Sequence, residues 1–169
     1  MAGSPLAYAV DTSTMLDLHV GDILLDVAKL GLGLVAPDFV IAEEILDPPG
    51  NELVEAGILK SEELTASELQ EASSLHREHS RSLSYNDCAY LVLAGSRGLV
   101  LLTSEQRLRA LAEVRGIRVR GTLWLMDEMV RVQCLTRARA AEAMEKMLAQ
   151  GRRLPEDECQ RRLTRWRRT

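Results

Sequence analysis

The sequence predicts an α/β fold: a parallel sheet of about four to five strands with helices on both faces, and further helices at the C-terminus. Three observations carry this. Short apolar runs at residues 6–10, 32–37, 56–64, 99–102 and 117–120 alternate with longer stretches whose apolar residues recur at helical spacing. The strongest runs are continuously apolar rather than alternating, as strands buried on both faces are. At 169 residues the chain is long enough for one domain with a sizeable core.

Composition narrows the class. Hydrophobic residues make up 46% and charged residues 27% of the chain, an ordinary balance for a water-soluble globular domain. No apolar run approaches the roughly 18 residues that a membrane span needs. The start MAGSPLAYAV has no basic segment ahead of an apolar one, so no secretory leader is expected. Three well-separated cysteines, Cys88, Cys134 and Cys159, form no paired motif and fit a reducing, cytoplasmic setting. The net charge of −4 hides an asymmetry. Residues 1–75 hold 14 Asp and Glu against 2 Lys, whereas residues 76–169 hold 11 against 19 Lys and Arg. Such a chain suits a cation and a polyanion at once, or simply carries unevenly solvated helices.

The elements follow in order. Residues 6–10 (LAYAV) form a buried strand that ends on Asp11, and Asp-Thr-Ser then opens a helix. The carboxyl end of a strand in an open sheet is where ligands collect, so Asp11 is a candidate metal ligand; it or Thr12 equally serves as a helix cap. Residues 15–31 read as two helices broken at Gly21-Asp22, with Gly31 and Gly33 ending the second. Gly31-x-Gly33-x-x-Ala36 matches a dinucleotide fingerprint as a string, but it lies between a helix and a strand, the reverse of the required order. Residues 38–47 are the next helix, with Asp38 as cap and Pro48-Pro49-Gly50 as stop. Within it Glu43 and Glu44 point about 100° apart, so one lies nearer the apolar side. A weak third strand and a helix opened by Thr65 and Glu68 follow. His76 and His79 lie in a polar stretch and read as surface residues. Ser84 and Asp87 sit at capping-box spacing before a helix apolar around much of its circumference. A strand at 99–102, a helix at 105–115, a short strand at 117–120 and two amphipathic helices complete the main body. The tail PEDECQRRLTRWRRT has acids in its first turn and arginines in its last, which complements a helix dipole; Trp166 and the arginines also have the chemistry to hold RNA.

Asp11 and Glu105 each follow an apolar strand and stand beside hydroxyls: Thr12 and Ser13, Thr103 and Ser104. Parallel strands place all such ends on one edge of the sheet. Carboxylates gathered there repel one another unless a divalent cation screens them. Oxygen-only ligation points to Mg²⁺ or Mn²⁺, and such a site suits phosphodiester hydrolysis.

VDTSTML, PDFVIAEEIL, LSYNDCAYLVLA and LLTSEQRLRALAEVRGIRVRGTLWLMDEMV occur in this order and together resemble a PIN domain, in particular the group that includes the VapC-like toxins of type II toxin–antitoxin pairs. The resemblance covers roughly residues 6–153 and leaves 154–169 as a basic helical extension. It implies a metal-dependent ribonuclease acting on RNA, an antitoxin partner that covers the site, and a homodimer. Asp11, Glu43, Asp87 and Glu105 match the family's acids: Asp11, Asp87 and Glu105 as ligands to Mg²⁺ or Mn²⁺, Glu43 as a ligand or as the group orienting the attacking water. Glu43 is preferred to Glu44 on its spacing from Pro37 and Phe39. Thr103 or Ser104 matches the family's hydroxyl beside the last acid, with Thr12 beside the first, and Arg107 and Arg109 are the expected RNA contacts. Two departures stand out. Glu105 replaces the usual Asp, and Arg107 stands where a further acid or amide is common. A catalytically weak or silent module that binds RNA or a partner is the alternative expectation.

Overall fold

The computed structural model describes residues 7–168. Leu6, the expected first residue of the first strand, and most of the segment read for a leader lie outside the described residues.

Five strands form one parallel sheet in the order β3-β2-β1-β4-β5: β1 (Ala7–Val10), β2 (Gly33–Pro37), β3 (Lys60–Glu62), β4 (Val100–Leu102) and β5 (Val119–Arg120). The centre is β1, whose Ala9 pairs with Val35 on one side and Leu101 on the other. Ala9, Val10, Leu101 and Leu102 are fully buried, as continuous apolar runs require when both faces are covered. Sheets of this type need a crossover between parallel neighbours, and helices supply them. The order reverses at β1, and the turns after β1 and β4 border a crevice at the carboxyl edge of the sheet.

Helices surround the sheet. After β1 come α1 (Thr12–Val20), the expected break at Gly21-Asp22, and a 3₁₀ segment at Leu25–Leu30 in place of a second α-helix. Gly31 ends that segment in the left-handed conformation (φ 65°), while Gly33, expected to help end it, already belongs to β2. The helix expected over residues 38–47 is shorter: α2 (Asp38–Glu43) starts after Pro37, with Asp38 inside the first turn. A second short helix, α3 (Gly50–Glu55), begins at the glycine read as a stop. It packs so closely on α2 that a Cβ at Gly50 would lie 2.7 Å from both Ile41 Cγ2 and the Ile41 carbonyl. Pro48-Pro49-Gly50, expected as the stop of one helix, instead leads into the next: α2 has already ended at Glu43, and Pro49 is the N-cap of α3.

Helix α4 (Ala66–His79) has the expected capping box of Thr65 and Glu68, and α5 (Tyr85–Arg97) that of Ser84 and Asp87. Residues 88–94 of α5 are all buried, because this helix packs on β1, β2 and β4 while α4 covers its other side. Helices α6 (Gln106–Val114), α7 (Thr122–Arg131), α8 (Arg137–Ala149) and α9 (Glu156–Arg167) follow. Trp124 of α7 stacks on Tyr8 of β1, with ring centroids 5.7 Å apart. The basic tail is α9, which buries Cys159, Leu163 and Trp166 against the rest of the chain. Trp166 is therefore a packing residue and offers no open face to a base. Cys88 and Cys159 are buried and Cys134 is half-buried, all three as free thiols.

Candidate active site

The crevice begins where β1 ends. The Asp11 amide donates to the Leu102 carbonyl at 3.0 Å and extends the β1–β4 ladder by one step. That places Asp11 beside the turn after β4, although the two are far apart in sequence. Its Oδ1 accepts from the Thr14 amide (3.0 Å) and the Ser13 hydroxyl (2.7 Å), and its Oδ2 from the Thr103 hydroxyl (2.5 Å). Asp11 caps α1, as one of its two sequence readings expects, and it also lines the crevice. Ser13 also accepts from the Ser104 amide (3.2 Å) and hydroxyl (2.9 Å), which ties the two turns together.

The other acids arrive from three further elements. Asp87 lies in the first turn of α5, where its Oδ2 accepts from the Ser84 amide at 2.8 Å. Glu105 stands at the start of α6 with its amide on the Thr103 hydroxyl (3.0 Å), and its carboxylate has no hydrogen-bond partner among the described residues. The acid from the end of α2 is Glu44. Its carboxylate accepts from the Thr12 hydroxyl (2.8 Å) and the Asn86 side-chain amide (2.5 Å). Glu43, preferred on sequence spacing, is exposed and outside the crevice. The helix stops between the two, and Glu44 as its C-terminal cap turns back towards α1 and α5. Asp11, Thr12, Ser13, Glu44, Asp87, Tyr90 and Glu105 together line a cavity of about 340 Å³.

Burial dominates the electrostatics of Asp11, which is 2% exposed. It pushes the carboxyl up to about 6; the nearby Asp87 charge adds to this, and the bonds from Thr103, Thr14 and Ser13 oppose it. Burial likewise pushes the neighbouring Cys88 thiol up to about 11, so it is an inert packing group rather than a nucleophile.

Four carboxylates and no cationic side chain line the cavity, and this oxygen-only donor set fits a hard divalent ion. Among the described residues no three acid, histidine or cysteine side chains stand together as a ready-made metal cluster. The acids line one space without yet closing on a common point.

Of the two arginines expected to hold RNA, Arg109 is committed inside the protein: it donates to the Thr103 carbonyl at 3.1 Å and packs under Gly121. Arg107 is exposed. Sequence reasoning missed Asn86, which holds Glu44, and Tyr90, which lines the cavity floor. Asn86 could have been found as the residue beside Asp87 in an otherwise apolar helix start. Tyr90 lies three residues after Asp87, on the same helix face.

A sequence model described as a PIN domain matches residues 7–168. The chain belongs to the PIN domain family. PIN domains are generally nucleases, typically with divalent metals, and the family match runs through α9 rather than ending before it. No curated protein matches the chain.

Proposed function

We propose that this PIN domain is a ribonuclease that uses Mg²⁺ or Mn²⁺ to hydrolyse RNA phosphodiester bonds, and that it is the toxin of a type II toxin–antitoxin pair. The observation that carries the nuclease reading is the convergence of Asp11, Glu44, Asp87 and Glu105 on one cavity at the carboxyl edge of the sheet. Asp11, Asp87 and Glu105 would hold the metal, which would supply an activated water and offset charge on the phosphate oxygens. Each capped carboxylate keeps lone pairs beyond those its hydrogen bonds use. Thr103 and Ser13 fix the Asp11 carboxylate, and Thr12 and Asn86 hold Glu44 at the cavity, where it would orient the attacking water or take its proton. Arg107, exposed at the start of α6, remains the candidate for backbone contact.

The toxin role, the antitoxin and the homodimer rest on the sequence resemblance. An apolar groove beside the acids, lined by Met15, Leu16, Ile45 and Leu46, is the kind of surface an antitoxin segment would cover. A second reading, a weak or silent RNA-binding module, is favoured by one observation: the acids do not stand as a metal cluster.

Purified protein incubated with single-stranded RNA decides between them. The nuclease reading expects cleavage with Mn²⁺, none with a chelator, and none from Asp11→Asn or Glu44→Gln, while Glu43→Gln cleaves at the wild-type rate. Binding of RNA without cleavage at any metal concentration supports the silent module.

A further inference from the structure

Thr103 and Ser104, in the turn after β4, share one planar peptide unit whose carbonyl and amide point in opposite directions. The carbonyl accepts from the Arg109 guanidinium at 3.1 Å, and the amide donates to the Ser13 hydroxyl oxygen at 3.2 Å. Ser13 in turn donates to Asp11 Oδ1 (2.7 Å), while the Thr103 hydroxyl donates to Asp11 Oδ2 (2.5 Å) and accepts from the Glu105 amide (3.0 Å). Both oxygens of Asp11 and the backbone of Glu105 therefore depend on the orientation of this one peptide unit. Arg109 holds its carbonyl end. Gly121 leaves room for that contact: a Cβ there would lie 2.7 Å from Arg109 Nη2 and 3.4 Å from the Thr103 carbonyl oxygen. The Gly121 backbone is extended (φ −129°, ψ −177°), which any residue adopts, so space and not conformation calls for glycine.

We propose that Arg109 is a positioning residue for the divalent ion: by fixing the Thr103–Ser104 peptide it sets the Asp11 carboxylate, and the turn that carries Glu105, for ligation. The role rests on the metal-dependent nuclease reading above. A carboxylate takes up an ion well when its other hydrogen bonds already hold it in place, and the groups behind those bonds share in that hold. A guanidinium bonds a carbonyl through a charge-assisted contact, stronger than a neutral donor would make, which suits a turn on which two acids depend. The contact also accounts for the different settings of the two arginines of α6. Arg107 is exposed, whereas Arg109 is half-buried with its guanidinium on the turn. Arg109 thus acts on substrate only through the acids it helps to place.

Calorimetric titration of the purified protein with Mn²⁺, without RNA and well below the melting temperature, tests this. Arg109→Gln is expected to raise the Mn²⁺ dissociation constant about tenfold. Gly121→Ala is expected to raise it similarly although Arg109 is still present, because the new methyl group displaces the flexible end of that side chain at little cost to the fold. The double variant is expected to bind no more weakly than Arg109→Gln, since both changes break one contact. Leu163→Ala, which opens a gap in the core under α9, is expected to lower the melting temperature and leave the dissociation constant unchanged. That comparison separates positioning from stability, and the absence of RNA separates it from substrate contact. Wild-type affinity in Arg109→Gln or Gly121→Ala, additive losses in the double variant, or an equal loss in Leu163→Ala would each overturn the proposal and leave the metal site standing. If the wild type binds no Mn²⁺, the metal-dependent reading fails first and takes this role with it.

Discussion

Asp11 carries two duties whose requirements conflict. As a cap it is buried and hydrogen-bonded; as a charge it is badly solvated, and its carboxyl is pushed up to about 6 from an ordinary 3.8. Between those values the folded protein holds a proton that the unfolded chain has released. Metal-free protein should therefore lose stability as pH rises from about 4 to about 6, by about 3 kcal/mol at most, and Asp11→Asn should remove that slope. Urea denaturation in chelator across this range, on both proteins, measures it. A divalent ion bound at the acids would restore the loss by mass action. The neighbouring glutamates show how little separates a residue that lines the cavity from one that does not. Glu44 meets Thr12 and Asn86, and Glu43, about 100° around the axis, meets solvent.

At the scale of elements, the pair α4 and α5 holds the acidic edge in place. Glu68 closes the capping box of α4 on the Thr65 amide and also receives Ser96 (2.5 Å) and Arg97 (3.1 Å) from the end of α5. The Arg97 bonds, helped by those from Ser96 and Thr65, hold its carboxyl down at about 2. A depressed acid contributes stability that is present above its unfolded value near 4.5 and is lost as pH falls towards 2. Glu68→Gln should cost up to about 3 kcal/mol at pH 7 and progressively less on acidification, read from denaturation midpoints between pH 7 and 2.5. Because Asp87 opens the same helix that Arg97 closes, loosening this pair should also blunt any metal-dependent stabilisation.

At the scale of the whole molecule, the C-terminal region reaches back to the first helix. Arg152, just past α8, donates through Nε to Asp17 Oδ1 (2.5 Å) and through its terminal nitrogen to the Ser13 carbonyl (3.3 Å), while Thr122 donates to Asp17 Oδ2 (2.6 Å). Asp17 is fully buried, so Arg152→Ala leaves an unpaired charge inside the protein. The expected loss is about 3–5 kcal/mol, measured by chemical denaturation as one cooperative transition. The same region resolves the charge asymmetry of the chain. Arg139 pairs with Asp26, Arg115 with Glu71 and Arg152 with Asp17, so arginines of the basic half neutralise acids of the acidic half. In the tail, Arg162 and Arg165 both bind Asp127 of α7. Much of what reads in sequence as a surface for a polyanion is engaged in ion pairs within the chain.

The sequence by itself determined the strand–helix alternation, the central buried strand, both capping boxes, and three of the four acids that line the cavity. These are local properties: apolar runs, spacing of three between cap and acid, and a carboxylate at the end of a strand. Tertiary structure decided the rest, because it depends on contacts between segments remote in the chain. It ended α2 at Glu43 and so brought in Glu44, started α3 at a glycine that Ile41 leaves no room to replace, and turned Arg109 inward onto the Thr103 carbonyl. No spacing rule reports such outcomes, since each depends on which remote segment packs against the residue.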